Sequence, residues 1–297
     1  MKPDLWINGQ FTPWDNASVH PLCHSLQRGS TLFESIDCKQ AADGRPAIFR
    51  LIDHIIRLEN SAQIVGMKLP YSVDEICDAT AATVARSGLK SCTIRPLAFY
   101  ADPVFDVYPG DIPVTVVIGI GFSHPSPDQL NVKIAGMRKI DSLSMPLKAK
   151  VSGNYIGPMI AKTDAIRSGF DDALILDHEG FVAEGTTANI FIVENGSLVT
   201  APDDVILPGI TRDTVTVIAD HIGIPVVRDT FTPDRLFAAE EVILCSSGKK
   251  VVPIVRVDER VIGDGSAGPI TRKLRAFYHD VITGLVPEFV RWLTYVG

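Results

Sequence analysis

Between residues 173 and 200 the chain packs four short runs rich in apolar residues, at 173–176, 181–183, 188–193 and 197–200, punctuated by Asp177-His-Glu-Gly180 and Asn195-Gly196. Runs of three to six residues are too short for helices that bury a face, and Asn-Gly between apolar residues is the strongest short-range hairpin signal. The segment therefore reads as a succession of strands. Around it the pattern predicts strands at 130–134 and 241–245, the latter buried by its apolar run, and helices at 154–168, 211–222 and 270–283, with Gly169 ending the first helix. This half of the chain is a β-rich core with helices packed on it.

The N-terminal half mixes both periodicities. Leu5-Trp-Ile-Asn-Gly-Gln-Phe11 places Asn-Gly between apolar residues and predicts two short strands. Residues 30–38 alternate as a strand does, with 47–49 as its hairpin partner across Gly44. In 51–65, Leu51, Ile55, Leu58 and Ala62 recur at three to four residue spacing, so one helix face is apolar and Arg57 lies beside it. A second helix is predicted over 73–87, with Asp74 and Glu75 near its positive end. Strands at 91–98 and 114–120 complete an α+β unit.

Ser123-His-Pro-Ser-Pro-Asp128 is the clearest linker, because two prolines and polar residues separate strand-like runs on either side. The reading is of two domains: a small α/β domain at 1–122, a linker at 123–130 and a larger domain at 131–297. No internal repeat or low-complexity tract is present.

With 297 residues, 46% of them hydrophobic, the chain can bury a large core. Its formal charge of -7 argues against a nucleic-acid binder, which needs clustered Lys and Arg. No apolar run approaches the roughly 18 residues of a membrane span, and the first residues lack the hydrophobic stretch of a signal peptide, so a cytoplasmic location is expected. Five cysteines without a CxxC pair suggest neither a disulfide framework nor a zinc site, and buried reduced thiols are expected.

Two segments offer anion sites. Pro208-Gly-Ile-Thr-Arg-Asp213 is a turn feeding a helix, whose free N–H groups and the Thr211 hydroxyl would bind an anion, although an ordinary N-cap has the same sequence. Ser246-Ser-Gly248 after a buried strand is a second small-residue cradle. Gly248-Lys-Lys250 lacks the upstream glycine and following Ser or Thr of a nucleotide-binding loop, and Gly119-Ile-Gly121 lacks the third glycine of a dinucleotide fingerprint.

Taken with His54-Ile-Ile-Arg-Leu58, Lys150 followed by Gly153-Asn-Tyr155, Glu184 followed by Asn189-Ile-Phe191, Leu207-Pro-Gly-Ile-Thr211 and the Ser246-Ser-Gly248 turn before Pro253, the chain resembles the class IV (fold type IV) aminotransferases over nearly its whole length. That family includes branched-chain and D-amino-acid transaminases. The resemblance implies a two-domain α+β fold, pyridoxal phosphate as cofactor, amino acid and 2-oxo acid substrates exchanged in a ping-pong cycle, and a homodimer.

By the same resemblance, Lys150 would form the Schiff base with the cofactor and shuttle the proton between the substrate Cα and C4′. Lys148, two positions away, is the rival, but Lys150 has the matching distance to Tyr155. Glu184 would pair with the pyridine nitrogen and Tyr155 with the phenolic oxygen. Arg57, Ile210, Thr211 and Ser247 would bind the phosphate, and Leu207 would pack under the ring. Phe33, Thr93, Arg95, Arg28 and Gly248 are the candidate substrate-side residues.

On that side the chain departs from the branched-chain pattern. Arg95 matches the arginine those enzymes direct at the distal carboxylate of glutamate, but the tyrosine expected two residues earlier is Thr93. Arg28 stands where an aromatic is usual, and Ser35 and Asp37 where glycine and arginine are usual. If Arg28 is contributed by the partner subunit, Arg28 and Arg95 would clamp a carboxylate, as in variant D-amino-acid transaminases with two arginines; the alternative for Arg28 is an ordinary ion pair. The resulting expectation is a transaminase favouring D-glutamate and D-alanine, with 2-oxoglutarate or pyruvate as acceptor. The alternatives are an L-branched-chain aminotransferase, an aminodeoxychorismate lyase and a binding protein that retains the fold. Lys249 and Lys250 read as a solvated pair or as a reach toward a second substrate carboxylate.

Overall fold

The computed structural model describes residues 2–122 and 125–297, and it divides by contacts into two units: 1–124 with 149–153 and 280–297, and 125–148 with 154–279. The expected linker at 123–130 begins with Ser123 and His124, which lie outside the described residues. Segments 149–153 and 280–297 belong to the first unit, a membership that a single cut in the chain cannot express.

Among the described residues the first unit holds an eight-stranded sheet. Its order is Leu293–Tyr295, Pro46–Phe49, Ile36–Gln40, Cys92–Tyr100, Val114–Gly121, Leu5–Ile7 and Gln10–Thr12, with Leu32–Phe33 also on Cys92–Tyr100. The Asn8-Gly9 turn has positive φ at both residues (44° and 90°), as a two-residue hairpin of the right twist requires. Helices Leu51–Ile64 and Val73–Ser87 pack their apolar faces into the unit's core with Leu32, Ile36, Ile94 and Ile118. The second helix starts at a capping box, Ser72 with Glu75.

The single strand expected over 30–38 is two, Leu32–Phe33 and Ile36–Gln40. The cause is on the neighbouring strand: Glu34 N–H donates to the Pro96 carbonyl at 2.9 Å, but Pro96 has no N–H to return. Register is nevertheless kept, with Phe33 opposite Leu97 and Ile36 opposite Ile94. Leu32, Glu34, Ile36 and Cys38 therefore share the buried face, which places a carboxylate among core side chains.

The second unit's sheet closes on itself. Strands Val182–Gly185, Asp172–Leu176, Leu130–Arg138, Lys250–Val257, Glu241–Ser246 and Asn189–Glu194 follow one another, and the first and last pair at Glu184 with Asn189. Closure removes the sheet edges along this ring and surrounds a core that includes Val132, Leu174, Ile190, Val242, Leu244 and Val252. Ser197–Thr200 and Val226–Arg228 extend the sheet beyond the ring. Two register shifts interrupt the pairing on either side of Asp172–Leu176, one between Ile134 and Arg138 and one between Val182 and Glu184. All five cysteines are free thiols, four of them buried.

Candidate functional site

Functional side chains form two clusters, one in each unit. In the first unit Glu34 is fully buried, and its carboxylate accepts from His54 Nδ1 at 2.7 Å, Arg57 Nε at 2.8 Å and Arg57 Nη2 at 2.7 Å. His54 and Arg57 are three residues apart on one helix, so both lie on the side that meets the strand carrying Glu34. Burial works to raise the Glu34 carboxyl, but the Arg57 guanidinium and His54 outweigh it and hold it well below the usual carboxylate range. Burial pulls His54 below the ordinary imidazole range, more than Glu34 lifts it. A neutral His54 must then carry its proton on Nδ1, because an ionised Glu34 can only accept.

Lys150 is half-buried between Ala149 (1% exposed) and Val151 (5%), whereas Lys148 is exposed. Its backbone is fixed on both sides: Lys150 N–H donates to Ser61 Oγ at 3.0 Å and its carbonyl accepts from Phe33 N–H at 3.2 Å. Its Nζ stands 4.7 Å from the centre of the Phe33 ring, and the Arg95 guanidinium lies 5.4 Å from the same ring. Thr93, Arg95 and Leu97 project from the sheet face opposite the core residues Ile94 and Ala98. Arg28 ends the short helix His24–Arg28, where its Nη2 donates to the Phe105 carbonyl at 2.5 Å.

In the second unit Glu184 is the hub. Lys139 Nζ forms an ion pair with its Oε1, and Asn189 Nδ2 donates to its Oε2 at 3.3 Å and to the Leu207 carbonyl at 3.1 Å. Gly209 sits so close to Asn189 that a Cβ there would fall 1.8 Å from Asn189 Oδ1. Gly209 is also the N-cap of helix Ile210–His221 and supplies no side-chain cap, so the first-turn amides, with buried Thr211, present donors suited to a phosphate.

Ser247 and Gly248 lie in the turn between strands Glu241–Ser246 and Lys250–Val257, with Ser247 half-buried and Gly248 exposed. Lys249 is not part of a solvated pair: its Nζ lies 3.0 Å from Oδ2 of fully buried Asp172 and donates to Thr187 Oγ1 at 3.0 Å. Burial raises the Asp172 carboxyl, but Lys249, Thr186 and Lys162 more than offset it, and the group is held below its ordinary value. Lys250 Nζ donates to the Ser247 carbonyl, so neither lysine reads as a solvated side chain. Tyr155 is half-buried at the end of the turn Ser152–Tyr155, immediately before helix Ile156–Arg167.

The first unit thus brings together Phe33, Arg95 and Lys150, and separately Glu34, His54 and Arg57. The second brings together Glu184, Leu207 and the Ile210–Thr211 helix start. Sequence reasoning gave no role to Glu34, Lys139 or Asp172. Glu34 had a signal, an acid at an apolar-face position of an alternating strand. Lys139 had none, because it lies just beyond a strand whose register is shifted by a bulge.

Each unit by itself carries groups of the kind pyridoxal phosphate needs: the first an amine on a fixed backbone and an arginine, the second a carboxylate held by a cation and an amide, a half-buried phenol and a helix start. Residues 31–257 match the model of the amino-transferase class IV family. The chain is 36% identical over 299 residues to the branched-chain-amino-acid aminotransferase of Pseudomonas aeruginosa, covering 98% of this chain and 97% of that one. Among solved structures it is similar to the branched-chain aminotransferase of Thermoproteus uzoniensis with norvaline, at TM-score 0.96 and 33% identity over 100% of both chains. It is similar also to the T.th. branched-chain amino acid aminotransferase complexed with N-(5′-phosphopyridoxyl)-L-glutamate, at TM-score 0.96 and 37% identity over 100% of this chain and 99% of that one.

The chain belongs to the class IV aminotransferases, with their fold type IV architecture. It is a pyridoxal-phosphate-dependent aminotransferase acting on an amino acid and a 2-oxo acid. The expected preference for D-glutamate and D-alanine is overturned, because relatives at 36% and 33% identity over nearly the full length are branched-chain aminotransferases. Within this chain Arg28 Nη2 donates to the Phe105 carbonyl, so part of its guanidinium is already engaged.

Proposed function

We propose that this enzyme transfers the amino group of L-branched-chain amino acids to 2-oxoglutarate. The observation that carries the reading is the Phe33 ring with Lys150 on it and Arg95 beside it. A donor pocket that must take first an aliphatic side chain and then a γ-carboxylate needs an apolar surface next to a cation, and Phe33 with Arg95 offers both. The named relatives support the same reading, and one of them holds an L-glutamate adduct of the cofactor. Thr93, on the same sheet face as Arg95, leaves room where a tyrosine is usual, and Gly248 offers its backbone to the substrate.

When bound, pyridoxal phosphate supplies an electrophilic carbon and a ring that takes up the electrons released as the Cα proton leaves. In the proposed roles, the Lys150 amine would be the group that holds the cofactor's electrophilic carbon and that carries the proton to and from the substrate Cα. Glu184 would accept a hydrogen bond from the pyridine nitrogen and keep it protonated, and Tyr155 would donate to the phenolic oxygen. Arg57, the Ile210 and Thr211 amides, the Thr211 hydroxyl and Ser247 would hold the phosphate, and Leu207 would pack under the ring. One edge of the Arg57 guanidinium, Nε with Nη2, is taken by Glu34, so the side chain is aimed before any phosphate arrives.

A homodimer is proposed on the exposed apolar stripe of helix Ile156–Arg167, where Ile156 is 58% exposed, Met159 59% and Ile160 47%. Free thiols at all five cysteines support a cytoplasmic location. The test of substrate is a half-reaction screen, following conversion of the yellow pyridoxal form to the pyridoxamine form. L-leucine and L-valine should convert it. Conversion by D-alanine or D-glutamate but by neither L-amino acid would refute the proposal.

A further inference from the structure

Two register shifts flank one strand of the barrel, and each is followed by a charged side chain that comes to the same place. The strand Asp172–Leu176 pairs with Leu130–Arg138 on one side and with Val182–Gly185 on the other. On the first side the register shifts between Ile134 and Arg138, after which Lys139 N–H bonds the Leu176 carbonyl at 2.8 Å. On the second it shifts between Val182 and Glu184, leaving Glu184 opposite Ile175. An irregular register changes what the following side chains face, and here the two that follow the shifts meet: Lys139 Nζ pairs with Glu184 Oε1. The pair is largely shielded, with side-chain exposures of 12% and 16%, so it is not a solvent-screened surface contact. Asn189 takes the other oxygen, and the carboxylate is held at both ends.

We infer that Lys139 is a positioning residue for the cofactor, acting through Glu184 by fixing the direction in which its carboxylate faces. The inference rests on the proposed role of Glu184 toward the pyridine nitrogen. A carboxylate tied to an amide alone can turn about its terminal torsion, which has broad wells, whereas one tied at both oxygens cannot. Lys139 thereby removes orientational freedom that binding the cofactor would otherwise have to freeze. Partners standing one step behind a binding group commonly change affinity by about tenfold or more, as the residues that orient the ligands of metal sites do.

The test is a double-mutant cycle read in cofactor affinity, titrating apoenzyme with pyridoxal phosphate and following the visible band and its induced circular dichroism. Lys139→Gln should weaken binding about tenfold and reduce the dichroism per bound cofactor, while Lys139→Arg stays within about twofold of wild type. In a Glu184→Gln background, Lys139→Gln should add nothing further, because its route of action is gone. A purely structural lysine would instead give the same fold loss in both backgrounds, and that result, or wild-type affinity for Lys139→Gln, overturns the inference. Should Lys139→Gln fail to fold, Lys139→Met carries the same comparison. If Glu184→Gln alone leaves affinity and spectrum unchanged, the reading of Glu184 itself is wrong and the inference falls with it.

Discussion

Replacing Glu34 by Gln tests whether the buried carboxylate is ionised and holds the helix that carries Arg57. Glu34 accepts three hydrogen bonds, all from His54 and Arg57, in a site where the carboxylate is 0% exposed and Arg57 12%. Glutamine keeps the volume but has one accepting oxygen, so its NH2 is turned toward a donor. One or two charge-assisted bonds, each about 1.5–3 kcal/mol, are lost. The Arg57 charge is left buried without its counter-ion, and breaking a buried pair in this way costs about 3–5 kcal/mol. At about 2–4 °C per kcal/mol for a unit of this size, the variant should melt roughly 6–20 °C lower.

The assay is urea unfolding followed by tryptophan fluorescence. All three tryptophans, Trp6, Trp14 and Trp292, lie in the first unit, so the signal reports the unit that contains Glu34. The pH dependence carries the sign. Glu34 is depressed in the folded protein, so its contribution is fully present above the unfolded carboxylate value and is lost only as pH falls through the folded value, below the usual carboxylate range. His54 is depressed as well, so both proteins lose stability as pH drops below about 6.5, where only the unfolded chain takes up that proton. The gap between wild type and Glu34→Gln should therefore stay constant from pH 8 to pH 6 while both curves begin to fall. A gap under about 1 kcal/mol, or one that shrinks over that range, would show that Glu34 is not an ionised anchor.

Two further outcomes follow from the geometry. Gly209→Ala places a methyl carbon 1.8 Å from Asn189 Oδ1, so the loop must move away; a loss of about 1–3 kcal/mol and weaker cofactor retention are expected, checked by thermal melting with and without pyridoxal phosphate. Lys150→Ala should give a protein without the visible absorption band on adding the cofactor, whereas Lys148→Ala, which removes an exposed side chain, should keep it; the reverse result would exchange the roles of the two lysines.

Much of the fold was legible because it rests on local signals. Asn8-Gly9 and Asn195-Gly196 mark hairpins through their positive φ values, and the Leu51, Ile55, Leu58, Ala62 spacing marks a helix that buries one face. The strand Lys250–Val257 was missed because Pro253 lies inside it, and Leu293–Tyr295 because its sheet partner, Pro46–Phe49, is distant in sequence. The break at Glu34 depends on Pro96 in the neighbouring strand, and no pattern within residues 30–38 records it. Lys148 is exposed, as its reading as a solvated neighbour expected, and Lys150 lies between two apolar residues that the structure buries.

The partners of the functional residues were less legible, for a reason the barrel makes plain. Alternation and spacing report what a side chain faces only while the register is regular, and here one strand gains two residues on its neighbour between Ile134 and Arg138 and another gains one between Val182 and Glu184. Lys139 follows one such shift and Glu184 follows the other, so neither the spacing of Lys139 from Lys150 nor that of Glu184 from Asn189 predicts that they pair. Lys249 illustrates the same limit at a turn: Lys250 adopts a φ of 63°, and Lys249 reaches Asp172 rather than solvent. Substrate handedness lies further still from the sequence, because it depends on where a carboxylate is received and not on how many arginines the chain carries. Arg28 and Arg95 are alike as residue types, yet one donates to a loop carbonyl and the other lies against the Phe33 ring.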